Sequence, residues 1–166
     1  MNALDISRIN ETSPYKVSLN PHGYLQFTTH AGVVLAVGFD EDDILKTESY
    51  WFIITNSNNK PSPRDAKVKG TVFAIITEFF RVNNATVLYI CESGDGRQAM
   101  RSRLFSRWFT TLADNLQYTY LQSSIVDAEG VTNFFAAITR TDNPNLQSVM
   151  AEFTEAVHFF REKPKE

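Results

Sequence analysis

The residues with the most chemical potential form one run, I-C-E-S-G-D-G-R over residues 90–97, set between T-V-L-Y and Q-A-M-R-S-R-L-F-S-R-W-F. A cysteine at a strand end, two glycines and an arginine opening a helix can together hold a phosphate. Backbone N–H groups cradle its oxygens, the guanidinium bonds two of them, and a thiolate attacks phosphorus. In this reading Cys91 is the nucleophile, Gly94 and Gly96 turn the loop and Arg97 grips the anion. Against it, Glu92 and Asp95 set carboxylates inside the cradle, where they favour the neutral thiol and repel a dianion. The same run has a structural use that needs no chemistry. Asp95 caps the helix, Gln98 three residues later completes a capping box, and Cys91 packs as a small apolar side chain.

The C-x5-R spacing resembles the tyrosine phosphatase loop, but Gln98 stands where those loops carry Ser or Thr and Ile90 where many carry His. Scaffolding is the preferred reading, with a cysteine-based phosphatase as one alternative. On the helix that follows, Arg97 and Arg101 share an arc of about 80° with Leu104, Trp108 and Leu112, so two arginines point along the core-facing stripe. There they either pair with carboxylates such as Glu92 or the Asp40 to Asp43 loop, or overhang the sheet edge beside Asn56 as an anion site. Arg103 and Arg107 lie off the stripe as surface charges. The candidate ligand-binding set is therefore Arg97, Arg101, Asn56, Gly94 and Gly96, with no residue assigned to catalysis.

The elements that must position these residues follow from periodicity. Tyr15 to Leu19 reads as a short strand ended by the N-P-H-G turn, and Tyr24 to His30 with Val33 to Phe39 as a hairpin. Ser49 to Asn56 is apolar on both faces, the pattern of a central strand. A helix is expected from about Pro63, with Ser62 as its N-cap and Val68, Val72, Phe73, Ile75, Ile76, Phe79 and Phe80 on its buried face. Thr86 to Cys91 is another buried strand, and a helix to about Ala113 follows it. Tyr118 to Ile125 and Val131 to Arg140 form a second hairpin. A final helix over Asn145 to Arg161 carries Leu146, Val149, Met150, Phe153, Val157 and Phe160 on one face. The expected class is α+β, with a mixed, largely antiparallel sheet of six to seven strands and three helices in the order βββαβαββα.

Length and composition set the outer bounds. At 166 residues and 43% hydrophobic content, with 13 Phe, 6 Tyr and 2 Trp, the chain has ample apolar area for a single domain, read as residues 15–161. Residues 1–14 are read as a flexible segment and 162–166 as a loose tail. A net charge of -3 argues against nucleic acid and anionic membranes as partners. One cysteine allows no intrachain disulfide, and the first residues lack the charge and apolar run of a secretion signal, so a cytoplasmic location is expected. His22, His30 and His158 have no ligand spacing, and the acidic quartet reads as a solvated loop, so no metal is expected.

The strand and helix order from Tyr24 to Arg140 is similar to that of the GNAT N-acyltransferases, and Ala99 to Phe109 resembles the helix those enzymes carry after their fifth strand. That resemblance implies an acetyl-CoA site. The glycine-rich pyrophosphate loop is replaced, however, by N-K-P-S-P-R-D-A-K-V-K-G, and Phe105 stands where a general-acid Tyr is expected. An atypical acyltransferase would have to take the pyrophosphate at the N-terminus of the helix from Pro63, aided by Lys60 and Arg64. Through S-P-R-D-A-K-V, the Cys91 run and D-N-P-N-L, the chain also resembles a family of small uncharacterised bacterial proteins, labelled a domain of unknown function. That likeness implies a bacterial origin and transfers no catalytic residue. The expectation is a non-catalytic binding or interaction module with no cofactor, taking a small anionic ligand or a protein partner. The acetyl-CoA-dependent N-acyltransferase and the phosphatase stand as alternatives.

Overall fold

A computed structural model of the chain describes residues 1–91, 107–112, 114, 116–126 and 129–162. Among the described residues there are four helical segments: α1 (Ile6–Thr12), α2 (Ala66–Val82), α3 (residues 107–112) and α4 (Leu146–Arg161). The strands are β1 (Ser18–Leu19), β2 (Leu25–Thr28), β3 (Val34–Glu41), β4 (Ser49–Asn56), β5 (Thr86–Cys91), β6 (Tyr118–Val126) and β7 (Thr132–Arg140). They form one seven-stranded sheet in the order β1-β2-β3-β4-β5-β7-β6. β4 and β5 run parallel, while β1–β2, β2–β3, β5–β7 and β6–β7 are antiparallel. This is the α+β class expected, and a mixed sheet with helices is compatible with the N-acyltransferase comparison. The β4–β5 ladder pairs Ser49 to Trp51 with Thr86 to Leu88.

Contacts divide the chain into two compact units, residues 1–40 with 52–84 and residues 41–51 with 85–166. In the first unit α2 presents Val72, Ile75, Ile76, Phe79 and Phe80, all fully buried, at the spacing of one helical face. Phe73 on the same expected face is only half-buried. The helix begins at Ala66, three residues later than expected, and its N-cap is Asp65 rather than Ser62. Pro63 biases Ser62 toward extended backbone, and the Asp65 carboxylate accepts from the Lys67 N–H at 2.9 Å.

The first unit also holds α1, in a stretch where no element was expected. Asp5 caps it by accepting from the Ser7 and Arg8 amides, and Ile9 is buried at 1% exposure. Asn2 donates its backbone N–H to Asn83 Oδ1 at 2.7 Å and its side-chain amide to the Val82 carbonyl. The Asp5 N–H donates to Glu78 Oε1 at 3.0 Å. A helix of seven residues is too short to stand on propensity, so these ties to α2 supply what the local sequence lacks.

The second unit packs α4 on β5, β6 and β7. Phe135 of β7 is fully buried, stacks on Phe153 of α4 with centroids 4.9 Å apart and meets Trp51 at 6.0 Å. Val149, Phe153 and Val157 are buried as expected, but Met150 stays 39% exposed at the edge of the apolar face. Glu152 fastens α4 to the loop before β4, accepting from the Lys46 and Thr47 amides and the Thr47 hydroxyl. Asp42, from the acidic run, accepts from the amides of Ile44 and Leu45 and from the Ser49 hydroxyl. That carboxylate is spent on turn formation.

Candidate functional site

The turn between β1 and β2 is set by Asn20, whose Oδ1 accepts from the His22 and Tyr24 amides, and by Gly23 at φ 82°. β2 and β3 then pair with Leu25 opposite Val37, and the same register puts Tyr24 opposite Gly38. A glycine inside the strand run V-L-A-V-G-F-D weakens a strand unless something needs the space. Here the Tyr24 ring occupies it, since a Cβ on Gly38 would lie 2.0 Å from both Tyr24 Cδ1 and Cε1. From there the ring brings its hydroxyl to Asp40, 3.1 Å from Oδ1 and 3.3 Å from Oδ2. That hydrogen bond, with the carboxylate charge and burial adding to it, pushes the Tyr24 phenol above its ordinary value.

Tyr24 and Asp40 are also among the residues that line a pocket of about 380 Å³ in the first unit. Its apolar walls are Leu4, Ile6, Leu19, Leu25, Val37 and Phe39. Phe39 is backed by Phe79 of α2, stacked at 4.4 Å, and by the edge of Phe52 at 5.9 Å. The N-terminal segment forms one side, so the ties from Asn2 to Asn83 and from Asp5 to Glu78 also shape the pocket. Among the described residues the Asp40 carboxylate has the Tyr24 hydroxyl as its only partner, and the lining includes His22 but no Lys or Arg. Glu78 is itself 4% exposed, bonded by Arg81 through Nε and Nη2 at 2.8 Å each, with Arg8 3.6 Å away. The Arg81 hydrogen bonds hold its carboxyl below the usual glutamate range despite burial.

A second polar cluster surrounds the start of α2. The Tyr15 hydroxyl donates to Asp65 and accepts from the His30 N–H at 3.2 Å. Lys67 Nζ lies 2.9 Å from His30 Nε2 and 5.9 Å from the centre of the Tyr15 ring. Burial and the Asp65 bond raise the Tyr15 phenol, and the same bond lowers the Asp65 carboxyl, helped by the Lys67 N–H. The helix N-terminus thus already carries an anion of its own, where the acyltransferase reading needs room for a pyrophosphate.

Of the residues singled out from sequence, Asn56 ends β4, and its side-chain amide donates to the Lys60 carbonyl at 2.8 Å, closing the loop after the strand. Its Oδ1 is buried without a hydrogen-bond partner among the described residues. The backbone of Cys91 pairs with Phe134 on β7. The Cys91 thiol, and Gly94, Gly96, Arg97 and Arg101, lie outside the described residues. Arg107 is exposed, while Trp108 and Leu112 are buried, which fits the stripe assigned to that helix. Sequence reasoning passed over Tyr24, Gly38 and Asp40. The available signal was an isolated glycine within a strand, facing an aromatic once the hairpin register is written out.

Among the described residues no group of three or more His, Cys, Asp or Glu side chains is placed to hold a metal ion. None of their helices is long and apolar enough to cross a membrane. No curated protein matches the chain. The pocket walls precede the stretch that does find a relative: residues 64–155, more than half of the length, match the model of a family of unknown function (DUF6169), and the chain belongs to that family.

Proposed function

We propose that the protein is a non-catalytic binding module of the cytoplasm whose first unit takes a small molecule in the pocket beneath the N-terminal segment. The observation that carries this reading is the pocket of about 380 Å³ itself, lined largely by apolar residues of the N-terminal segment and the hairpin, among them Leu4, Ile6, Leu19 and Phe39, with His22, Tyr24 and Asp40 as its few polar residues. A few polar groups converging on an apolar pocket of several hundred Å³ are the usual form of a small-molecule site. The test is a fragment screen by amide NMR. The reading expects hits that move the amides of Leu25, Val37, Gly38 and Phe39, and a screen in which no fragment moves them refutes it.

The strand order with β4 parallel to β5 favours a second reading, the atypical acyltransferase, over the phosphatase. The Asp65 carboxylate at the start of α2 opposes it. Titration with acetyl-CoA decides. A ligand at a hundred times its Kd adds about 2.7 kcal/mol to stability, and an unmoved melting temperature removes this reading.

A further inference from the structure

Resting on the pocket reading above, we infer that the pocket takes an uncharged ligand with an aliphatic chain, which lies between the N-terminal segment and one face of strands β1 to β3. The register fixes that face. Leu19 pairs with Leu25 and Leu25 with Val37, so the three stand in one row across three strands, and Phe39, two residues beyond Val37, is on the same side. The stacking of Phe39 on Phe79 identifies it as the face that α2 covers. Leu25 and Val37 lie beneath the surface at 5% and 0% exposure, whereas Leu19, at 59%, and the half-buried Phe39 offer area to a ligand. Leu4 and Ile6, also half-buried, line the pocket from the N-terminal segment.

The same alternation turns the Tyr24 ring and the Asp40 carboxylate to the opposite face, where phenol and carboxylate bond each other. A chain on the α2 side therefore meets alkyl groups and one aromatic ring, and the lining holds no Lys or Arg. His22 belongs to the turn after β1 and is exposed. A charge buried against such walls loses its hydration and gains no partner, whereas each buried methylene is stabilising. Met1 and Leu19, 54% and 59% exposed, both line this pocket, so apolar side chains that elsewhere stand singly here gather beside one concave surface that a ligand chain would cover.

The experiment titrates the unaltered chain with 1-butanol, 1-pentanol and 1-hexanol, and with hexanoate and hexylammonium, at neutral pH, following the amides of Ile6, Leu19, Leu25 and Phe39 by NMR. Kd should fall about fourfold for each methylene added along the alcohol series. Neither charged analogue should bind more tightly than 1-hexanol. Leu19→Ala, at an exposed position of a two-residue edge strand, should weaken 1-hexanol several-fold and leave the denaturation midpoint where it was. If Kd is flat along the alcohols, or if hexanoate or hexylammonium binds more tightly at those amides, the inference falls and the pocket reading stands. An unchanged Kd in Leu19→Ala sets the chain off this face and overturns the inference as well. If none of the five compounds moves the amides, this inference falls, and the fragment screen judges the pocket itself. The ligand series reads the preference without any variant, so a misfolded Leu19→Ala would not blunt the test.

Discussion

Replacing Glu78 by Gln removes one charge from the first unit and almost no volume. The wild-type carboxylate is 4% exposed and serves three donors: the Asp5 N–H at 3.0 Å and two N–H groups of Arg81 at 2.8 Å. The side-chain amide of the variant can still accept from the Asp5 N–H, but it cannot accept both guanidinium bonds in their charge-assisted form. Arg81 and Arg8 are 44% and 51% exposed, so solvent screens most of their direct Coulomb attraction. What remains is chiefly the difference between charged and neutral hydrogen bonds, about 2 kcal/mol. Glu78→Ala also strands the Asp5 amide and should cost about 3 kcal/mol. Because the folded-state carboxyl is more acidic than the unfolded one, the stability it supplies is whole above about pH 4.3 and drains as pH falls through the lower folded value. The gap between wild type and Glu78→Gln should therefore narrow in acid. Both tryptophans, Trp51 and Trp108, belong to the second unit, so urea unfolding is best followed by far-UV circular dichroism, with amide exchange at Asp5 as a local probe. Equal stability of the two proteins at neutral pH, or a gap that persists unchanged at pH 3, would refute the reasoning.

Gly38→Ala drives a Cβ into the Tyr24 ring, so it should destabilise by about 1–3 kcal/mol in denaturant titration, where a strand Gly→Ala change without such a neighbour would gain stability. The same variant should lower the Tyr24 phenol pKa toward its ordinary value in an ultraviolet titration, because the ring can no longer reach Asp40. Thr86 is fully buried, and its hydroxyl has no hydrogen-bond partner among the described residues, so the isosteric Thr86→Val should hold or raise stability by about 1 kcal/mol in the same denaturant titration. Burial and the bond to Glu48 push the Tyr50 phenol up to about 12, so the stability this neutral phenol supplies should be intact below pH 10 and lost between pH 10 and 12. Tyr50→Phe should be less sensitive over that interval, as measured by alkaline unfolding.

Much of the architecture is legible in the sequence where periodicity is strong. β4 and β5 fall on their expected bounds because two-sided apolar runs of six to eight residues have few other uses. α2 and α4 are equally plain from their spacing, although the edge of a helical stripe is a matter of degree, which is why Met150 emerges from the core it was assigned to. α1 could not be read, because its stability comes from Asn83 and Glu78, some 70 to 80 positions further along the chain. The start of α2 was misplaced for a related reason. Ser62-Pro63 is a good local start signal, but Asp65 is fixed by Tyr15, fifty residues away. The Tyr24–Gly38 contact needed one step beyond periodicity, the pairing register of the hairpin. The arginine and cysteine readings at residues 91–101 turn on side chains that the structure does not describe.

A crystal of the protein soaked with the tightest fragment from the screen tests the pocket most directly. It should show the fragment in the first unit's pocket, against Leu4, Ile6 and Leu19. A fragment bound elsewhere with that pocket empty would contradict the account.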